Sequence, residues 1–222
     1  QKTYVVGNPV RPTVFEQNRQ QCRARLGVPS GAIVLLSFGG SLGAMRINQV
    51  VADLAKWHTQ LAKSGTDKRR FYHIHATGSY GVQLFEDLSI EKGFKDSSNI
   101  CVKEYIDNMP QCLAAADLVI SRAGALTLAE LAAAGRASIL VPSPNVAENH
   151  QYYNALELEK AGAAVVIEEK NLTGEKLVQT VDSLTAQPGK LALMGVEART
   201  LAEPNSLDKI VKHLEKLVDF TS

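Results

Sequence analysis

Glycine and small polar residues follow a predicted buried strand at residues 33–38, in the order Gly39-Gly40-Ser41-Leu42-Gly43-Ala44. Glycines permit backbone angles that are closed to other residues. The helix predicted next would offer free N–H groups to an anion, and Ser41 adds a hydroxyl donor. The spacing matches neither the P-loop nor the GxGxxG dinucleotide pattern. We therefore expect a phosphate or diphosphate here, with a turn that serves only helix packing as the alternative.

A second segment, Ser121-Arg122-Ala123-Gly124-Ala125, also joins a predicted strand to a helix. Glu130 lies three positions after Thr127, which is the spacing of a capping box, so Glu130 could cap the helix backbone. Alternatively, its carboxylate could accept hydrogen bonds from two neighbouring hydroxyls, as acidic residues do with a nucleotide ribose. Arg122 could pair with a phosphate or simply lie on the surface.

The third segment, residues 143–151, is the most polar and includes Asn145, Asn149, His150 and Gln151. Such side chains offer donors and acceptors without net charge, which suits the recognition of a neutral hydroxylated or acetamido group. The alternative is an ordinary helix start capped by Asn149. Both interpretations stay open.

Histidines are the other candidates for chemistry. His73 and His75 share one face of a predicted strand but have no third partner at metal-ligand spacing, so a hydrogen-bonded structural pair is expected. His58 and His213 fall in amphipathic helices and are predicted to lie on the surface. Since no GxSxG nucleophile motif occurs, we expect no catalytic nucleophile, and we expect no metal site.

Alternating strand and helix patterns must position these segments. We predict strands at residues 33–38, 71–76, 99–104, 118–121, 138–142 and 163–168. We predict helices at residues 47–63, 126–135, 149–162, 173–186, 190–201 and 206–220, with Thr173 and Ser206 as N-caps. This order indicates an α/β fold, a Rossmann-like doubly wound parallel sheet with helices on both faces. Residues 1–13, which contain two prolines, are predicted to be an interdomain linker, and residues 14–222 one ligand-binding domain.

Composition narrows the class of protein. The 222 residues are 45% hydrophobic, enough for a sizeable core, and the net charge of +1 gives no long-range attraction to nucleic acid. Three cysteines without CxxC spacing suit a reducing compartment, and no apolar run reaches the roughly 20 residues of a spanning helix. We expect a cytoplasmic protein that binds no nucleic acid. Because the sequence begins with Gln1, we also expect a fragment of a longer chain.

Four motifs in order give a family resemblance: GNPVR at residues 7–11, GGSLGA at 39–44, ISRAGALTLAEL at 120–131 and PSPNVAENHQYYNA at 142–155. Together they resemble the MurG family, the bacterial N-acetylglucosaminyltransferases of peptidoglycan synthesis. The resemblance implies the C-terminal, donor-binding domain of a two-domain GT-B glycosyltransferase. The absent N-terminal half would hold the lipid I acceptor, the candidates for the catalytic base and the patch that touches the inner face of the cell membrane. No cofactor is implied.

The implied reaction is an inverting transfer of N-acetylglucosamine from UDP-N-acetylglucosamine to lipid I, giving lipid II. This chain would bind the donor and supply no catalytic residue. The resemblance implies that Arg11, Gly40, Ser41 and Gly43 contact the diphosphate, that the backbone of Ile106 reads the uracil edge and that Glu130 binds the ribose. It further places Ala125, Leu126 and Thr127 by the phosphates and sugar, and Asn149 or His150 with Gln151 at the sugar hydroxyls. Leu42 and His150 stand where family members often have Gln, so side-chain contacts at these two positions do not follow.

Two alternatives remain. The chain could be a natural, non-catalytic nucleotide-sugar-binding subunit of a split glycosyltransferase, which a start codon at Gln1 in the gene would favour. It could also be a UDP-N-acetylglucosamine 2-epimerase-like fragment, against which residues 142–155 argue.

Overall fold

A sheet of six parallel strands forms the centre of the molecule. The computed structural model describes residues 3–219 of the chain. The strands are β1 (Ile33–Phe38), β2 (Phe71–Ala76), β3 (Ile100–Lys103), β4 (Leu118–Ser121), β5 (Ala137–Leu140) and β6 (Ala164–Val166). Their order across the sheet is β3-β2-β1-β4-β5-β6, and every pair is parallel. This order is that of a doubly wound α/β sheet.

Helices cover both faces of the sheet. They are α1 (Pro12–Phe15), α2 (Arg19–Arg25), α3 (Met45–Ser64), α4 (Val82–Glu91), α5 (Met109–Ala115), α6 (Ala125–Ala134), α7 (His150–Lys160), α8 (Gly174–Ala186), α9 (Lys190–Thr200) and α10 (Ser206–Asp219). Among residues 3–219, no helix combines the length and the apolar character that a membrane span needs.

Two apolar layers hold the helices on the sheet. One layer joins Val34, Leu36 and Val119 of the strands to α1, α5, α6 and α7. The other joins Leu35 and Ile120 to α3, α4 and α8. Successive side chains of a strand point to opposite faces, so a strand with both faces covered is mostly apolar, as β1 and β4 are apart from the buried Ser37 and Ser121.

The predicted strands and the longer helices are confirmed to within two residues at each end. The predicted Thr173 cap is also confirmed, because its side chain accepts a hydrogen bond from Lys176 N. The predicted Ser206 cap is wrong. Ser206 is the first residue of α10, and its buried hydroxyl donates instead to the carbonyl of Asn8 at 3.0 Å. Residue 220, the predicted end of this helix, lies outside the described residues.

The start of the chain lies against its last helix. Besides the Ser206 to Asn8 hydrogen bond, the ring of Tyr4 lies 4.2 Å from the ring of His213 between centroids. Gly7 adopts φ of +79°, and a Cβ there would lie 3.0 Å from the Cβ of Glu203. These contacts hold residues 4–8 in place beside α10. Helix α1 begins inside the segment predicted as a linker, whose interdomain role stays a prediction.

Candidate functional site

The carboxyl ends of the strands form a single edge of the sheet. Phe38 is paired in register with Ala76 on one side and with Ser121 on the other, and Ser121 is paired with Leu140. The loops that follow β1, β2, β4 and β5 therefore begin at the same level. Between β1 and β4 the strand order reverses, and in such sheets ligands bind at this switch point. The glycine segment and the Arg122 segment flank it.

The glycine segment after β1 is shaped for close backbone approach. Gly40 and Gly43 have φ of +98° and +86°, which glycine adopts readily. Ser41 and Gly40 are exposed, and α3 starts after Ala44 without a side-chain cap. The first N–H groups of this 20-residue helix therefore stay available at its positive dipole end, beside the Ser41 hydroxyl. This geometry is suited to an anion, and binding of a phosphate or diphosphate here stays a prediction.

The loop after β2, which was not among the predicted site segments, holds the glycine segment in place. Ser79 N and Tyr80 N donate to the carbonyls of Ser41 and Leu42, each at 3.3 Å. The buried Asn48 side chain donates to the carbonyl of Thr77 at 2.9 Å. A Cβ on Gly43 would lie 2.2 Å from that same carbonyl oxygen. The available signal was the Gly78-Ser79-Tyr80-Gly81 sequence, which follows a predicted strand.

Glu130 does not cap a helix. The N-cap of α6 is Gly124, so Thr127 and Glu130 are the third and sixth helical residues, and the capping-box alternative is wrong. The Glu130 carboxylate instead accepts a hydrogen bond from Arg11 Nη2 at 3.3 Å, and its side chain is 24% exposed. Glu130 and Arg11, the two charged residues predicted for the site, are thus brought together. The other three predicted site residues of α6 lie in the first turn of this helix. Ala125 and Leu126 are exposed, and Thr127 is half-buried.

Arg122 fits neither of the two roles predicted for it. Its Nη1 donates to the carbonyls of Val141 and Pro142, each at 3.3 Å, and its Nη2 forms an ion pair with Glu169. Only 18% of its side chain is exposed. Arg122 therefore ties the loop after β4 to the loop after β5, and it positions neighbouring segments rather than binding phosphate or lying on the surface.

The polar segment after β5 has an unusual backbone. Glu148 and Asn149 adopt φ of 52° and 53°, the left-handed region that residues other than glycine rarely occupy. Asn149 precedes α7, but its side chain makes no capping hydrogen bond, so the side-chain cap expected in the alternative is absent at this described residue. Gln151 Oε1 accepts a hydrogen bond from Ser143 N at 3.0 Å. This bond closes the segment and orients the Gln151 amide.

Ile106 lies in the loop between β3 and α5. Its side chain is 3% exposed and belongs to the apolar core, whereas the preceding Tyr105 is 58% exposed. Within residues 3–219, neither the N–H nor the C=O of Ile106 makes a hydrogen bond. Packing of the Ile106 side chain in the core would thus hold its main chain in place. The N–H and C=O groups of Ile106 would stay available for hydrogen bonds to the edge of a base.

A chain of buried polar groups lies between the sheet and α3, and it consists of Ser37, His73, His75 and His58. Ser37 Oγ lies 2.8 Å from His73 Nε2 and 2.7 Å from His75 Nδ1, and His73 Nδ1 lies 3.2 Å from His58 Nε2. His73 and His75 are thus buried and share Ser37 as a hydrogen-bond partner, as predicted for a structural pair. The pair is not fully satisfied, because His75 Nε2 has no partner among the described residues. The predicted surface position of His58 is wrong, because His58 is 1% exposed.

Burial controls the charge of these histidines. It lowers the pKa of His58 and of His75 to about 3, and the pKa of His73 also falls well below its ordinary value. All three rings are therefore neutral at physiological pH. Within residues 3–219, no group of three or more His, Cys, Asp or Glu side chains is arranged to hold a metal ion.

Known proteins resemble the chain along nearly its whole length. Two curated relatives carry the name UDP-N-acetylglucosamine--N-acetylmuramyl-(pentapeptide) pyrophosphoryl-undecaprenol N-acetylglucosamine transferase. The one from Desulforudis audaxviator is 43% identical over 96% of this chain and 56% of its own length. The one from Desulforamulus reducens is 40% identical over the same shares. The chain thus spans about half the length of these relatives.

A solved structure supports the same relationship. The crystal structure of Acinetobacter baumannii MurG matches 92% of this chain and 55% of its own chain, with a TM-score of 0.73 and 29% identity. The family model described as the glycosyltransferase family 28 C-terminal domain matches residues 34–213, which include β2 to β6 and all of β1 except Ile33. The chain belongs to the glycosyltransferase family 28 C-terminal domain family.

Proposed function

We propose that this chain is the donor-binding half of an inverting N-acetylglucosaminyltransferase that transfers N-acetylglucosamine from UDP-N-acetylglucosamine to lipid I. The observation that carries the proposal is the switch-point edge of the sheet, because the uncapped start of α3 follows β1 and the helix that carries the Glu130 carboxylate follows β4. The substrates come from the names of the relatives. Those names also favour a transferase over the 2-epimerase-like alternative.

The diphosphate would lie at the glycine segment. Gly40, Gly43 and the first N–H groups of α3 would face its oxygens, and the Ser41 hydroxyl would donate to it. As the bond between the sugar and the diphosphate breaks, negative charge grows on the leaving group. Fixed backbone dipoles aimed at that charge stabilise the transition state without reorganising.

The nucleoside would extend from the diphosphate across the loops after β3 and β4. Glu130 would accept hydrogen bonds from the two ribose hydroxyls, and the free main-chain groups of Ile106 would read the uracil edge. Arg11 would then exchange its pairing with Glu130 for the charge of the diphosphate. Leu126 and Thr127, in the first turn of α6, would lie beside the phosphates and sugar.

The sugar would lie against the polar segment after β5. Gln151 Oε1 already accepts a hydrogen bond from Ser143 N, so the side-chain NH2 group of Gln151 would donate to a sugar hydroxyl. Asn149, held in a left-handed conformation at the start of α7, would provide a second neutral contact. Sugar recognition would therefore depend on uncharged groups, which distinguish hydroxyl patterns without attracting other anions.

An acceptor-binding half would cover this edge. Large apolar side chains are exposed in the loops or first helical turns that follow the first four strands; these are Leu42, Met45, Tyr80, Tyr105 and Leu126. Apolar groups grouped around a polar crevice are typical of a surface that another domain or protein covers. In the proposed protein this half would provide the catalytic base, the lipid I site and the contact with the inner face of the cytoplasmic membrane.

Calorimetric titration tests the proposal. UDP-N-acetylglucosamine should bind this chain more tightly than UDP-glucose, and GTP and NAD should not bind measurably. Equal affinity for UDP-N-acetylglucosamine and GTP would refute the proposed donor. Equal affinity for the two UDP-sugars would keep a UDP site but refute the assignment of N-acetylglucosamine.

A further inference from the structure

A cavity of about 690 Å³ lies at the opposite edge of the sheet, where the strands begin. Its lining includes the charged residues Arg19, Asp117, Arg136 and Arg199 and the apolar residues Leu191 and Val196. Asp117 directly precedes β4, and Arg136 directly precedes β5. The length of the strands therefore separates this cavity from the proposed donor site, and no residue of that site lines it.

The carboxylate of Asp117, which lines this cavity, already has partners on both of its oxygens. Asp117 forms ion pairs with Arg19 through one oxygen and with Arg23 through the other, and it also accepts a hydrogen bond from Val34 N at 2.7 Å. Within residues 3–219, neither Arg136 nor Arg199 has a carboxylate within 4.0 Å. The cavity therefore carries an excess of positive charge.

The donors of Arg136 and Arg199 are mostly unused. Arg136 Nη1 donates to the carbonyl of Ala116 at 3.3 Å, and Arg199 Nη2 donates to the carbonyl of Ala134 at 3.2 Å. A guanidinium has five N–H donors, and the buried Arg136 Nε has no partner among the described residues. Burial, together with the charges of Arg19 and Arg199, lowers the pKa of Arg136 to about 10.

Capping of helix ends explains only part of this cluster. Arg19 and Arg23 donate to the carbonyls of Ala116 and Ala115 at the end of α5, which is a common role for arginine. One hydrogen bond each leaves Arg136 and Arg199 with several free donors. The remaining donors of these two residues at the cavity are available to an anion.

Two glycines shape the wall beside these arginines. A Cβ on Gly195 would lie 2.6 Å from the carbonyl oxygen of Gly135, and a Cβ on Gly135 would lie 2.9 Å from Arg199 Nε. Gly135 also has φ of +62°. Only glycine at both positions lets α9 approach the end of α6 so closely. This approach places Arg199 at the same cavity as Arg136.

We propose that this cavity is a second ligand site, which binds a small soluble organic phosphate. Arg136 and Arg199 contact the phosphate group, since planar guanidinium groups bind phosphate oxygens in pairs. Arg19 adds charge at the same site. The carbon part of the ligand packs on Leu191 and Val196. The cavity volume lies within the range of small-molecule sites, about 300–1,000 Å³.

Titration with phenyl phosphate, followed by NMR of the backbone amides in saturating UDP, tests this second site. UDP occupies the proposed donor site, and shifts at Gly40 and Gly43 would report any binding there. Phenyl phosphate should shift the amides of Gly135 and Gly195. Inorganic phosphate should bind more weakly, because it lacks a carbon part, and phenol should not bind.

Variants identify the groups that bind the phosphate. Arg136→Gln and Arg199→Gln should each weaken phenyl phosphate about tenfold or more, as expected for lost charged hydrogen bonds. Arg25→Gln is the matched control, since Arg25 is exposed in the last turn of α2 and does not line the cavity. Its affinity should equal that of the unchanged chain. If Arg136→Gln fails to fold, the more exposed Arg199 still provides the test.

Two results would overturn the second site. One is the absence of shifts at Gly135 and Gly195 at millimolar phenyl phosphate. The other is an affinity that Arg199→Gln and Arg25→Gln reduce equally, because that would show general attraction of an anion to a basic surface. Neither result depends on whether UDP binds at the other edge of the sheet.

Discussion

At the scale of the single residue, Glu130 is held by one ion pair with the largely exposed Arg11. Such pairs contribute about 0–1 kcal/mol to stability. Glu130→Ala should therefore change the melting temperature little, whereas a lost charged hydrogen-bond acceptor should weaken UDP binding by about 1.5–3 kcal/mol, roughly tenfold or more. Calorimetry and thermal unfolding measure the two effects.

The control is Glu157→Ala, which removes an exposed ion pair with Lys160 and should change neither the melting temperature nor the affinity for UDP. Unchanged UDP affinity in Glu130→Ala would remove Glu130 from the site.

Gln151 has two roles that substitutions can separate. Its Oε1 accepts from Ser143 N, and its amide is proposed to donate to the sugar. Gln151→Glu keeps an acceptor for Ser143 but removes the donor, so the preference for UDP-N-acetylglucosamine over UDP should fall about three- to tenfold, the worth of one neutral hydrogen bond. Affinity for UDP alone, measured by the same calorimetry, should stay constant.

Ser41→Ala provides the contrast to Gln151→Glu. A lost diphosphate contact should weaken UDP and UDP-N-acetylglucosamine alike. If Gln151→Glu also lowers both affinities equally, the segment after β5 contacts the diphosphate or only maintains the fold.

At the scale of the structural element, the turn between β1 and α3 depends on Gly43. Gly43→Ala adds the cost of a left-handed backbone to a clash in which the new Cβ would lie only 2.2 Å from Thr77 O, so it should lower the free energy of unfolding by about 3 kcal/mol or more. Gly40→Ala meets no atom within 4 Å and should cost only about 1–2 kcal/mol. Urea unfolding compares the two variants, and equal losses would contradict this packing.

The buried histidines between β2 and α3 make stability depend on pH. They stay neutral in the folded chain, with pKa values of about 3 for His58 and His75, whereas unfolded histidine titrates near 6.5. The unfolded chain therefore binds more protons below pH 6.5, and stability falls as pH decreases from about 6.5 to 5. The slope approaches about 1.4 kcal/mol per pH unit for each histidine.

Urea unfolding at several pH values tests this dependence. His58→Gln should reduce the slope by about one proton. Thr59→Val, a non-titrating change at the next buried position of α3, should shift the free energy of unfolding equally at every pH. An unchanged slope in His58→Gln would contradict the neutral buried state.

Elements whose patterns are local were predictable, and contacts set by tertiary packing were not. The strands β1 and β4 are apolar except for Ser37 and Ser121, so their positions follow from the residues alone. The short helices α1, α2 and α5 were not predicted, because one or two turns show little periodicity. The 10-residue helix α4 was not predicted either. The partner of Asn48 depends on how the loops after β1 and β2 meet. That His58 faces the sheet likewise depends on which side of α3 packs inward.

At the scale of the whole molecule, donor binding and catalysis should be separable. The proposed donor contacts all lie within residues 11–151, whereas the proposed base and acceptor site belong to another half. This chain should therefore bind UDP but show no turnover of a lipid I analogue, measured as release of UDP from UDP-N-acetylglucosamine. Turnover by this chain alone would mean that it supplies its own base.

The pairing of β1 with β4 has a consequence for how the chain assembles during synthesis. Val34 N donates to Asp117, and Asp117 N donates to Val34 O, across 83 positions of sequence. During translation β1 can pair with β2 early, but its other edge stays open until β4 has been made. Contacts between distant segments slow folding, and an open strand edge can pair with other chains. The edge of β1 that pairs with β4 is therefore protected later than the edge that pairs with β2. Until β4 has been made, this edge at the centre of the sheet is open to aggregation.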